Sequence, residues 1–127
     1  MSYRLISRLG IVAALSMIGL AAQAADVKVS CEKRSNRSKV SVDGSDLAPG
    51  SYRAVARSGT ATARTGFEAA AGDEAEFDFD SNPADIAEGA TAIPARFIVD
   101  GRVRGYLVNA GGQRVTPIVT AMCRIRR

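Results

Sequence analysis

The sequence predicts an all-β fold, a single sandwich of about seven to eight short strands with one brief helical turn. Three observations lead there. Apolar and polar residues alternate with a period of two along most of the chain, the pattern of half-buried strands. Turn-forming Gly, Pro, Asn and Asp interrupt that alternation about every 8–12 residues. The two cysteines, Cys31 and Cys123, lie in alternating segments near opposite ends of the chain.

Residues 1–24 read as a secretory leader. Arg4 and Arg8 give a positive start, Leu9–Leu20 an apolar core, and Ala22-Gln23-Ala24 a small-x-small cleavage pattern. The apolar run falls short of the roughly 20 residues a bilayer core demands, so a membrane anchor is not expected. Removing 24 residues from 127 leaves a 103-residue domain over 25–127, enough for one core. Its expected location is the periplasm or the exterior, where a paired thiol persists. A Cys31–Cys123 bridge is therefore expected. The absence of histidine and of a short cysteine spacing argues against a metal or catalytic pair.

The strands follow in order. Asp26–Glu32 alternates Val27, Val29 and Cys31 with polar residues, and Ser35–Ser38 turns the chain into a strand carrying Val40 and Val42. Leu47-Ala48-Pro49-Gly50-Ser51-Tyr52 leads into a third strand, Arg53–Arg57. Pro-Gly suits the centre of a type II turn. Thr60–Thr65 is short and polar, an edge candidate, and Ala69–Gly72 reads as a loop. Asp73–Asp80 is the most regular alternation, with Ala75, Phe77 and Phe79 on one face and four acids on the other. Asn82 then caps a short helix begun by Pro83. Phe97–Val99 and Arg102–Arg104 flank Asp100-Gly101, a strong hairpin signal. Arg114–Arg126 forms the last strand, with Val115, Val119, Ala121, Cys123 and Ile125 sharing a face. The expected core comprises Val29, Val40, Val42, Phe77, Phe79, Ile98, Val103, Val119 and Ile125.

The turn Leu47-x-Pro49-Gly50-x-Tyr52, leading into an alternating strand, resembles one found in prealbumin-like and related immunoglobulin-like sandwiches of exported bacterial proteins. The resemblance covers Val42 to Arg53. It implies an immunoglobulin-like or prealbumin-like sandwich used as a structural or binding module, and it implies no activity.

Functional chemistry is sparse. Without histidine, no Ser-His-Asp or Cys-His site and no usual zinc or copper centre can form. Losing Arg4 and Arg8 leaves 15 basic against 13 acidic residues, a formal +2. The basic residues look dispersed apart from Lys33-Arg34, Arg37, Lys39 and the terminal Arg124, Arg126 and Arg127. Nucleic acid is therefore not an expected partner.

The acidic stretch is the sharpest candidate. Glu74, Glu76, Asp78 and Asp80 would project from one strand face about 6.5–7 Å apart. Three uses are open: a solvated sheet face beside Arg102 and Arg104 or the Arg124–Arg127 tail, a docking strip for a basic partner, or calcium through Asp78, Asp80 and Asn82. Against calcium, Pro83 replaces the usual loop glycine, and the distal glutamate position falls on Gly89. Tyr52 is expected to pack with its hydroxyl on backbone, and Tyr106 is a possible contact aromatic. The expected function is a small exported, non-catalytic binding module of the cell envelope, with a protein or envelope component as partner. The alternative is an enzyme working through carboxylates, the only catalytic groups on offer.

Overall fold

A computed structural model describes residues 24–127, so the expected leader lies outside the described residues except for Ala24. The chain forms β1 (Asp26–Arg34), β2 (Arg37–Ser45), β3 (Ser51–Ser58), β4 (Ala61–Arg64), β5 (Glu68–Ala69) and β6 (Ala75–Asp80). There follow α1 (Pro83–Ala87), β7 (Thr91–Ala92), β8 (Arg102–Asn109), β9 (Val119–Met122) and β10 (Arg124–Ile125). Two sheets result, ordered β10-β1-β2-β6-β7 and β4-β3-β8-β9, with β5 also on β3. The expected two-sheet β architecture is present.

The period of two does what the alternation predicts. Val40, Val42, Phe77 and Phe79 of the first sheet face Tyr52, Ala54, Ala56, Val103 and Leu107 of the second, all buried. Small residues set the spacing between the layers. A Cβ on Gly44 would run into the Leu107 side chain, and one on Gly105 would lie 2.9 Å from Val29 Cγ2. Glycine is needed at both positions because the sheets approach too closely for a methyl group.

Where the ladders break, buried hydroxyls take over. Thr65 Oγ1 accepts from the Ala54 amide just past the end of β4, and Thr116 Oγ1 accepts from Leu107 across from β8. Ser38 Oγ donates to the Ala95 carbonyl and accepts from the Ile98 amide, tying the irregular 93–99 segment to β2. These bonds satisfy backbone groups that the core would otherwise leave unpaired.

Three expectations need correction. Phe97–Val99 does not form a hairpin arm, since only Val99 bridges Arg102 around the Asp100-Gly101 turn. Positive φ at both turn residues (55° and 64°) makes the expected tight turn, but Ser58 rather than a strand secures its approach. The last strand is not continuous: β9 pairs with β8 in the second sheet, and β10 pairs parallel with β1 in the first. The chain changes sheet at Cys123. As a result Ile125 leaves the core and is 56% exposed, while Val29 and Val119 are half-buried.

The Cys31–Cys123 disulfide forms at that crossing, with Cα atoms 4.6 Å apart. First and last strands are thus fastened as expected. The Leu47–Tyr52 turn also behaves as read: Leu47 and Tyr52 are buried, Gly50 has positive φ, and the Tyr52 hydroxyl donates to the Ala48 carbonyl.

Candidate functional site

On the outward face of the first sheet, antiparallel pairing of β2 with β6 sets Asp43 opposite Glu76, Ser41 opposite Asp78 and Lys39 opposite Asp80. Glu76 and Asp78 are exposed. The Ser41 hydroxyl donates to Asp78 Oδ1 at 2.8 Å. Asp43 is half-buried between them, and burial pushes its carboxyl up, helped by the charges of Glu76 and Asp78. Lys28, its partner on β1, only partly offsets this. Like charges directly opposite one another destabilise a sheet, so this face is held at a cost to the fold.

Acids from other elements converge on the same place. Glu68 of β5, and Asp85 and Glu88 at the helix, join Lys39, Glu76 and Asp78 around an open hollow of about 370 Å³. Sequence reading missed Asp43, Glu68, Asp85 and Glu88. For Asp43 the missing signal was register, because alternation puts it on the polar side of its strand without showing that Glu76 lies opposite.

The four acids singled out from the sequence separate. Glu74 precedes β6 and is exposed, in a backbone bridge with Ala71, bordering a second hollow with Glu68 and Glu76. Asp80 is no part of a solvated face: it is 1% exposed. Arg37 grips it with Nε to Oδ1 at 2.9 Å and Nη2 to Oδ2 at 2.7 Å, and the Asn82 amide donates to Oδ1. Burial alone would push the Asp80 carboxyl up. The Arg37 fork, its charge and the amides of Asn82 and Ser81 outweigh that and hold it below the usual carboxylate range.

Asn82 spends its Oδ1 on the Ala84 amide as the helix cap. The oxygens proposed for calcium at Asp80 and Asn82 therefore already have partners. Among the described residues no group of three or more carboxylates is placed to hold a metal ion. Nor do Arg102 and Arg104 neighbour the acidic strand: they belong to the other sheet, and β6 is flanked by β2 and β7.

Tyr106 also lies on the second sheet, opposite Val55 and half-buried, with the Arg57 guanidinium 5.8 Å from its ring centre. Around it, folding collects arginines that look dispersed in the sequence. Arg53 and Arg57 of β3, Arg64 of β4, and Arg102 and Arg104 of β8 all point outward by the strand register. The outer face of the second sheet is thus basic throughout, whereas that of the first sets Lys28, Lys39 and Arg124 beside its acids.

The raised Asp43 carboxyl gives a test with a defined sign. Its folded state binds the proton more tightly than the unfolded chain, so stability falls as pH rises from the ordinary value of 3.8 through the raised one. Asp43→Asn is expected to raise the melting temperature by a few degrees at neutral pH. The gain should vanish in acid, where the carboxyl is protonated folded and unfolded alike. A neutral-pH melting temperature at or below wild type would contradict this account of the face.

The chain matches no family model, no curated protein and no solved structure.

Proposed function

We propose that the chain is a small exported, non-catalytic interaction module of the cell envelope, which docks a basic partner on the acidic face of its first sheet. The observation that carries this reading is the cluster Asp43, Glu76 and Asp78, kept together although burial, helped by the charges of Glu76 and Asp78, raises the Asp43 carboxyl. A face retained against that cost has a use outside the domain, and a summed negative field steers and orients a cationic partner. The Cys31–Cys123 bridge supports an oxidising compartment. Among the described residues, no helix is long and apolar enough to cross a membrane.

Binding rather than catalysis is favoured because the most buried carboxylate, Asp80, is committed to Arg37 and cannot serve as acid or base. Another hollow, about 800 Å³ beside the disulfide, is open and of mixed charge, lined in part by Glu32, Lys39 and Arg124. It offers no convergent pair of free acids.

A lysine-rich peptide is a direct probe. The wild type should bind it at low ionic strength, and binding should collapse near 1 M salt, where the screening length is about 3 Å. The Glu76→Gln/Asp78→Asn variant should bind about tenfold more weakly while melting no lower than wild type. Equal binding by variant and wild type would remove this function from the face. Calcium added to the same samples should leave the melting temperature unchanged, since a bound ion would raise it through linkage.

A further inference from the structure

We propose that the outward face of the second sheet docks flat on a lipid bilayer that presents anionic phosphate headgroups. Arg53, Arg57, Arg64, Arg102 and Arg104 occupy outward register positions on β3, β4 and β8, and Arg114 joins them through its bridge to Val108. No outward position of β3, β4, β8 or β9 carries Asp or Glu. Among the described residues, none of these six arginines makes an ion pair; the pairs that form use Arg34, Arg37 and Arg126. Arg57 and Arg104 stand directly opposite each other, and Arg57 Nε is buried without an acceptor. That repulsion is relieved by an external anion.

The composition of the face selects among anions. Beside the arginines it exposes Phe67 and Met122, 45% and 75% accessible, the latter paired with Arg102. Apolar side chains next to cations suit the boundary between headgroups and acyl chains, where each kind finds its own solvent. A single-stranded nucleic acid would instead need open rings on which bases could stack. Here Arg53 lies 4.3 Å over the Phe67 ring and Arg57 sits over Tyr106, so guanidinium groups cover a face of each. Four adjacent strands make a surface roughly 15 Å wide. The acidic face, on the opposite side, then turns away from the bilayer.

The test is sedimentation of the mature protein with vesicles. It should pellet with phosphatidylcholine vesicles containing about a quarter phosphatidylglycerol, remain in solution with phosphatidylcholine alone, and be released by raising the salt. Arg64→Gln/Arg102→Gln/Arg104→Gln, all at exposed positions, should weaken partitioning about a hundredfold without shifting the melting temperature. Glu76→Gln/Asp78→Asn should bind vesicles at least as well as wild type, which separates this result from the fate of the acidic face. The proposal is overturned by failure to pellet, by equal binding to neutral vesicles, or by an unaffected triple variant. Release by millimolar inorganic phosphate, tighter binding to a single-stranded oligonucleotide, or low-salt self-association that masks the face would overturn it equally.

Discussion

Replacing Cys31 and Cys123 together by alanine is expected to destabilise the domain by about 4 kcal/mol, because the bridge spans 92 residues of sequence. For a domain of this size that corresponds to a fall in melting temperature on the order of 20 °C. The position of the bridge adds a local effect to the chain-entropy one. Cys123 sits between β9 and β10, where the chain leaves one sheet for the other. The strand beyond it is only two residues long and exposed, held by its parallel pairing to Glu32 and Lys33 and by the Arg126 amide on the Lys33 carbonyl. Without the disulfide, β10 should fray first, so amide exchange at 124–126 should accelerate more than in the central β3–β8 pair. A double variant melting within a few degrees of wild type would show that the pairings alone close the structure. So would unchanged exchange at those amides.

How far the sequence reveals this molecule depends on whether a feature is set by alternation or by register. Val40, Val42, Phe77 and Phe79 are legible as core because a strand's period fixes their face whatever it pairs with. The Asn82 cap, the Asp100-Gly101 turn and the buried Tyr52 are equally local. The break at Cys123 is not. Alternation runs unbroken through Val119, Ala121, Cys123 and Ile125, and only the competing partners β8 and β1 divide it. Charge fares similarly. Arg53, Arg57, Arg64, Arg102 and Arg104 look scattered because three strands carry them, and the shared face appears only once β4, β3 and β8 are aligned. The same non-local pairing places Asp43 against Glu76. Conversely, Asp80 obeys the alternation of the acidic strand and still escapes its face, because Arg37 at the start of β2 covers it.

That ion pair carries the second large effect, and its pH dependence has a sign that can be checked. Asp80 is almost wholly buried, and Arg37 both bonds its two oxygens and reaches Asp85 at 3.0 Å. Arg37→Ala removes the partner and leaves a carboxylate in the interior, which is expected to destabilise the domain by about 3–5 kcal/mol at neutral pH. In the wild type the Asp80 carboxyl is held below its ordinary value of 3.8. Its contribution is therefore fully present above that value and is lost as pH falls through the lowered one. Without Arg37 the chief opposing influence is gone and burial dominates, so the folded-state value moves above the ordinary one. The variant's native state then binds the proton more tightly than its unfolded state, and Asp80 makes it gain stability as pH falls from neutral toward about 5. Asp80→Asn in the Arg37→Ala background should abolish that gain, because no ionisable group remains at the site. Chemical denaturation of wild type, single and double variants across this range measures all three slopes. If the Arg37→Ala deficit is the same at pH 7 and pH 5, the carboxylate is not the source of the instability, and the arginine acts through packing alone.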